Sequence, residues 1–216
     1  MRQLILDLMP ETPPSFENFV VGGNSETLTG LVAWLAPESS EPMFFLSGEA
    51  GAGKTHLLRS SAGTYIDAAL DPNLSSLGKA RGLHAIDQVD ALNENGQIAL
   101  FNLFNRLRAN AGRLLVAARP PPQQLTLRED LRTRLGCGLI YRLQALTEPE
   151  QITALAAQAS SRGLRLPAGA LDYLLARAPR DMRSLAALLI ALDRYSLEHK
   201  RSITLPLLRE VLRNPL

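Results

Sequence analysis

The chain has 216 residues, 46% of them hydrophobic and 20% charged, with a formal net charge of +2 and a single cysteine. That length can bury a large core and a smaller companion domain, and the composition is that of an ordinary globular protein. A near-zero net charge gives no global drive toward nucleic acid or membrane, the lone Cys137 excludes an intrachain disulfide and fits a reducing cytoplasm, and no apolar run approaches the ~20 residues of a bilayer span.

The N-terminus lacks an apolar h-region and a small-residue cleavage site, so no secretory signal and no membrane partner are expected. Gln3-Leu-Ile-Leu-Asp-Leu8 places Leu4, Leu6 and Leu8 at a period of two, and Met9-Pro-Glu-Thr-Pro-Pro14 then stops any ladder. Two readings stand: an edge strand of the chain's own sheet, or a linear peptide on a stiff leash that docks into a partner. Phe16-Glu-Asn-Phe-Val-Val-Gly-Gly-Asn24 follows. Asn24 or Ser25 then caps a helix to about Ala36, with Leu28, Leu31, Val32 and Leu35 on one face.

Met43 to Ser47 reads as a buried strand, and it runs into Gly48-Glu-Ala-Gly-Ala-Gly-Lys-Thr55. The pattern G-x-x-x-x-G-K-T between a strand and the helix opened by His56-Leu-Leu-Arg-Ser is a phosphate-binding loop. Glycines let the backbone curl around an anion at φ values that other residues avoid, and amides at a helix start converge on phosphate. Gly48, Gly51, Ala52, Gly53, Lys54, Thr55 and His56 are the candidate nucleotide contacts. Lys54 is expected at the β- and γ-phosphates, and the Thr55 hydroxyl on Mg²⁺.

Thr64-Tyr-Ile-Asp67 is a short strand candidate, and Asp71 to Gly82 is rich in turn formers. Leu83-His-Ala-Ile-Asp87 is an apolar strand ending in an acid; downstream of a phosphate loop this is the Walker B pattern, with Asp87 ordering Mg²⁺. His84 reads as a core or strand-face histidine. Gln97 to Asn110 carries Ile98, Phe101, Phe104 and Leu107 at helical spacing. Leu114 to Ala118 is a further strand, stopped by Arg119-Pro-Pro-Pro122. Leu131 to Leu135 ends a helix, and Gly138 to Leu143 is the last strand. Strands alternating with helices predict a parallel α/β sheet sandwiched by helices.

From Thr147 the strands cease. Thr147-Glu-Pro-Glu150 is a capping box. Further helices are expected from Pro167 through Leu171, Leu174 and Leu175, and from Arg180 or Asp181 with Leu185, Leu188, Leu189 and Leu192 inward. Thr204 and Pro206 open a last short one. The expected organisation is a peptide and Pro-rich linker over 1–13, an α/β nucleotide-binding core over 14–146, and a small α-helical lid over 147–216.

A phosphate-loop core followed by a helical lid resembles AAA+ proteins. Phe16-Glu-Asn-Phe-Val, Gly53-Lys-Thr-His-Leu57, Arg119-Pro-Pro121 and Arg134-Leu-Gly-Cys-Gly-Leu139 together resemble the DnaA/Hda family of replication-initiation proteins, over roughly residues 14–216. The resemblance implies ADP or ATP with Mg²⁺ as ligand, and DnaA as partner. It implies that Gln3, Leu4, Leu6 and Leu8 dock on the replicative sliding clamp, the β subunit of DNA polymerase III. Arg134 matches the arginine finger, which acts in trans on nucleotide held by a neighbouring subunit, and Arg183 matches sensor 2. A homodimer or head-to-tail oligomer is compatible with the family. DnaA continues into a helix-turn-helix domain and this sequence stops short of one, so direct DNA contact is expected to be weak or absent.

Two departures bear on hydrolysis. Gln88 follows Asp87 where an active AAA+ ATPase has a second acid, and Ala118 stands at the first sensor, normally polar. Neither supplies a base, and Asp90 lies three residues on. The expected protein is therefore a nucleotide-bound regulatory adaptor with weak or no ATPase of its own. It would stimulate hydrolysis of DnaA-bound ATP and so prevent re-initiation of replication. The alternatives are a P-loop ATPase of the helicase-loader or transposition type acting on single-stranded DNA, and a direct DNA-binding regulator. The charge is also split, with 5 basic and 12 acidic side chains in residues 1–100 and 18 and 9 in residues 101–216. Of the 23 basic residues 20 are Arg. That asymmetry suits a head-to-tail contact, although codon bias alone gives an arginine-rich chain.

Overall fold

The structure, a computed structural model, describes residues 13–61, 63–78, 81–177, 182–199 and 202–213. The chain divides into two compact units, one over Pro13–Ala145 and one over Leu146–Leu216. Among the described residues no helix is long and apolar enough to cross a membrane.

The first unit is built on strands β1 (Met43–Ser47), β2 (Thr64–Asp67), β3 (Leu83–Asp87), β4 (Arg113–Ala118) and β5 (Leu139–Arg142). They pair only in parallel, in the order β2-β3-β4-β1-β5. A parallel sheet covered on both faces needs strands that are apolar throughout, which is why β1 reads Met-Phe-Phe-Leu-Ser and is buried along its whole length. Helices α1 (Ser25–Leu35), α2 (Lys54–Ser60), α3 (Glu94–Ala109) and α4 (Glu129–Leu135) cover it. On one face Met43, Phe45, Ile86, Leu114 and Val116 pack with Leu100, Leu103 and Leu107 of α3 and Leu131 and Leu135 of α4. On the other, Phe44, Leu46, Ala85 and Leu115 pack with Leu31 and Trp34 of α1 and Leu57 and Leu58 of α2. Each large side chain buried this way contributes roughly 1.5–3 kcal/mol.

Several faces and ends differ from the sequence reading. In α1 the buried residues are Thr27, Leu31 and Trp34, while Val32 is 50% exposed. The indole of Trp34 donates to the Glu41 carbonyl at 2.8 Å, which fixes that rotation of the helix. Asn24 sits before α1 but does not cap it; its side chain exchanges two hydrogen bonds with the Gln144 backbone, at 2.9 and 2.7 Å. The end of α1 is instead closed by Arg113, whose guanidinium donates to the carbonyls of Trp34, Leu35 and Ala36, a cation placed where the helix dipole favours one. In α3 the inward residues include Leu100 and Leu103, and Ile98 is 40% exposed. The helix starts three residues before Gln97, at the Asn93 cap, whose side chain accepts from the Gly96 amide at 3.0 Å.

His84 lies on β3, 1% exposed, and neither ring nitrogen has a hydrogen-bond partner among the described residues. Burial, with Arg106 adding to it, lowers its pKa below the ordinary 6.5. The folded state therefore holds His84 neutral while the unfolded chain protonates it below about pH 6.5. Stability from this site is present above that pH and is lost as pH falls through the lowered value. A His84→Leu variant, which removes two unsatisfied buried nitrogens, is expected to gain on the order of 1 kcal/mol near pH 7. Urea denaturation of both proteins between pH 5.5 and 7.5 checks this: the advantage should widen as pH falls.

Among the described residues the regular elements of the second unit are all helices, α5 (Glu148–Ser161), α6 (Ala170–Leu175), α7 (Met182–His199) and α8 (Leu205–Arg213). Glu150 closes the start of α5 by accepting the Thr147 amide at 2.7 Å. The segment from Pro167 first makes a turn, through Gly169 at φ +75, so α6 begins three residues later than the proline. Leu155, Leu174, Leu185, Leu189, Leu192 and Leu208 form its core.

Candidate functional site

The loop between β1 and α2 is shaped by contacts that admit no side chain. Gly48 has φ +153, and a Cβ there would come within 2.4 Å of the Leu143 carbonyl oxygen. Its amide donates to the Arg119 carbonyl at 3.1 Å, so the loop entrance is sewn to the end of β4. Gly53, at φ +97, precedes α2, and a Cβ there would strike the Phe19 ring at 2.7 Å. With Gly53 in this left-handed conformation, α2 starts at Lys54, two residues earlier than the sequence suggested. The first helical amides, of Lys54, Thr55 and His56, have no carbonyl one turn back within the helix; the first such bond is Leu57 N–H to the Gly53 carbonyl. These amides and the loop between Gly48 and Gly53 form a cradle suited to an anion.

Residues 15–19 lie against this loop. The His56 Nε2–H donates to the Ser15 carbonyl at 2.9 Å, and the Phe19 and His56 rings pack with centroids 5.5 Å apart. The imidazole is thus committed to the chain's own segment, and what His56 offers an anion is its backbone N–H. Ala52 is buried among the apolar residues under α2.

Lys54 Nζ donates to two loop carbonyls, Gly48 at 2.6 Å and Glu49 at 2.9 Å. Burial lowers its pKa from the usual lysine value, against the opposing pull of Asp87 and Asp90. A phosphate oxygen can replace either carbonyl as acceptor and adds the charge that burial makes scarce.

Thr55 Oγ1 donates to Asp87 Oδ2 at 2.5 Å, bringing the two expected magnesium ligands together. The Asp87 carboxylate is 1% exposed and also accepts the Gln88 amide on Oδ1 at 2.9 Å and the Tyr65 hydroxyl on Oδ2 at 3.1 Å. Tyr65 is pushed up to about 12, by burial first and by the Asp87 charge second, so it stays a donor. Hydroxyl plus carboxylate is a hard-oxygen set of the kind that holds Mg²⁺ once phosphate oxygens and water complete the shell. Among the described residues no cluster of three His, Cys, Asp or Glu could hold a metal unaided, so a cation here depends on the phosphates.

What the site offers an attacking water is meagre. Gln88 is left-handed at φ +53, and its side-chain Nε2 donates to Asp67 Oδ1 at 2.8 Å, so the side chain is bound to the end of β2. Ala118, opposite Ser47 in the ladder, is fully buried and its side chain carries no polar atom. Asp90 is exposed on the 3₁₀ turn Val89–Ala91, which that left-handed residue opens.

Arg134 sits near the end of α4, half-buried, with its guanidinium 6.0 Å from the Phe104 ring centre. The chain then enters β5 past Gly138, whose α-carbon abuts the carbonyl of Met43, the first residue of β1. The phosphate loop leaves the other end of β1, roughly 13 Å of strand away. The topology therefore places Arg134 toward the opposite end of the strands from this chain's own cradle, on the sheet face that α4 covers. Arg183 falls in α7, and its side chain lies outside what the structure describes; Gln3, Leu4, Leu6 and Leu8 lie outside the described residues altogether.

The sequence reading missed Tyr65 and the contacts of Ser15 and Phe19. The pairing Tyr65↔Ala85 and Asp67↔Asp87 puts Tyr65 on the same sheet face as Asp87. Only the neighbour relation of β2 and β3, with that register, would have revealed it.

Residues 148–212 match a family model described as the Hda lid domain. A Haemophilus influenzae protein described as uncharacterized is 30% identical over 228 residues, spanning 98% of each chain. The chain belongs to the DnaA/Hda family of AAA+ proteins. Domain III of the Thermotoga maritima replication initiation protein DnaA shares its fold with a TM-score of 0.78, over 95% of this chain and 98% of that one, at 24% identity. AMPPCP-bound DnaA from Aquifex aeolicus matches with a TM-score of 0.68 over 86% of this chain and 66% of that one, at 22% identity. The parallel five-stranded sheet between helices, followed by a helical lid, is the AAA+ arrangement, and the family is one of DnaA-related replication regulators.

Proposed function

We propose that this protein is a nucleotide-bound adaptor that restrains replication initiation. It holds ADP or ATP with Mg²⁺ through Gly48 to His56 and Asp87, with Arg183 as sensor 2. It docks on the sliding clamp through Gln3, Leu4, Leu6 and Leu8, and it stimulates hydrolysis of ATP bound to DnaA by presenting Arg134 in trans. In this reading it works in the cytoplasm and spends little or no nucleotide of its own.

The observation that carries the proposal is the mismatch between a complete binding cradle and an incomplete hydrolytic one. Asp87 and Thr55 are joined at 2.5 Å, while Gln88 is tied to Asp67 and Ala118 is an inert methyl group. A site that keeps its nucleotide serves as a structural and switching element, and Arg134, on α4, lies toward the other end of the strands from it. The match to the Hda lid domain supports the family-level part of this reading.

A bound nucleotide would supply phosphate charge, and the cation would neutralise it. The chain's own residues would orient them: loop amides and Lys54 would hold the phosphates, Thr55 and Asp87 would hold the cation, and the residue-15–19 segment lies against the loop. Deleting residues 1–8 is expected to abolish retention on immobilised sliding clamp while ADP affinity stays within about twofold, because the proposed cradle, Gly48 to His56 with Asp87, uses none of them. A clamp pull-down beside an ADP titration checks both, and unchanged retention would remove the peptide from the proposal.

A further inference from the structure

Asp87 is the acid on which any cation at this site depends, and three protein donors fix it. Gln88 N–H holds Oδ1, and Thr55 Oγ1 and Tyr65 OH converge on Oδ2. Thr55 is shared, because its oxygen is also the candidate cation ligand. Gln88 contributes only its main chain, on the other oxygen. Tyr65 is the one donor to Oδ2 that has no part in ligation. Its ring is itself held in place, since the Arg59 guanidinium lies 4.7 Å from the ring centre. Arg59 belongs to α2, the helix that carries Lys54 and Thr55, so the phosphate-binding helix, the edge strand β2 and the end of β3 are locked into one assembly.

A carboxylate with a free rotor loses part of its cation affinity, because each binding event must first fix it. Second-layer hydrogen bonds to a metal-binding carboxylate typically change affinity by 10–100-fold. We propose that Tyr65 is a positioning residue for Asp87: its hydroxyl holds Oδ2 toward Thr55 and sets how strongly Mg²⁺ tightens nucleotide binding. This rests on the magnesium–nucleotide reading of the cradle.

The test is titration of the full chain with a fluorescent ADP analogue, in excess EDTA and across a Mg²⁺ series. The wild type is expected to bind more tightly with Mg²⁺. Tyr65→Phe, which keeps the ring beneath Arg59, should bind equally well in EDTA and lose about tenfold of the Mg²⁺-linked gain. Asp87→Asn should lose that gain, and adding Y65F to D87N should then change nothing further, which separates action through Asp87 from a general packing defect. A Tyr65→Phe protein that keeps the full gain overturns the role of Tyr65 alone. A wild type with no Mg²⁺-linked gain overturns the magnesium reading and the proposal with it. An equal loss from Y65F in EDTA and in Mg²⁺ identifies a packing effect and also overturns it.

Discussion

Lys54→Ala is expected to weaken ADP and ATP binding by about a hundredfold or more while leaving the fold intact. The ammonium is the one side-chain cation in the loop itself, and charge-assisted hydrogen bonds to phosphate contribute roughly 1.5–3 kcal/mol each. Partial burial raises what the charge is worth to an arriving anion, since fewer waters compete for it. Its present partners are two loop carbonyls. Glu49, whose carbonyl is one of them, is exposed, so water can satisfy that acceptor in the variant. Calorimetric titration with ADP, beside a melting curve, checks the prediction. Loss of binding with a melting temperature changed by only a few degrees is the expected pair; undiminished affinity would mean that the phosphates sit elsewhere.

The second large effect concerns Arg134. Arg134→Ala is expected to reduce stimulation of DnaA-bound ATP hydrolysis by about a thousandfold, the scale on which an arginine supplied in trans stabilises a transferring phosphoryl group. Its own nucleotide affinity should not change, because the sheet separates the residue from the cradle. The packing loss is small: the guanidinium lies at 6.0 Å from the Phe104 ring, a cation–π contact worth on the order of 0.5–1 kcal/mol. Arg134→Lys keeps the charge but not the planar fork, and should recover little. Single-turnover hydrolysis of ATP preloaded on DnaA, with each variant added at saturating concentration, measures the effect.

How much of this was legible in the sequence follows from the range of each interaction. The phosphate loop, the apolar strands on either side of it and the capping box at Thr147 are local patterns, and a window of ten residues contains all the physics they need. Asp87 was legible for the same reason, as the acid ending an apolar run. Tyr65 was not, because its meaning depends on β2 lying beside β3 in one particular register. The helix faces were read correctly at Leu28, Leu31, Leu35, Phe101, Phe104 and Leu107 and wrongly at Val32 and Ile98, which are exposed. There the deciding contacts come from a carbonyl at Glu41 and from the sheet beneath, neither of which a helical period encodes. Gln88 was read as the absence of an acid, and the structure adds where its amide goes. The proposed clamp peptide, Gln3 to Leu8, lies outside the described residues, so its docking still rests on the family resemblance, the alternation of its leucines giving only an extended apolar segment.

The central claim is that this protein keeps its own nucleotide and completes a site on another. Placing γ-³²P-labelled ATP on either partner separates those two roles. With label on DnaA, clamp-loaded DNA present and unlabelled nucleotide on this protein, release of labelled phosphate should rise steeply on mixing. With label on this protein and unlabelled ATP on DnaA, release should stay at background. Rapid release from this protein's own cradle, or none from DnaA, would contradict the account.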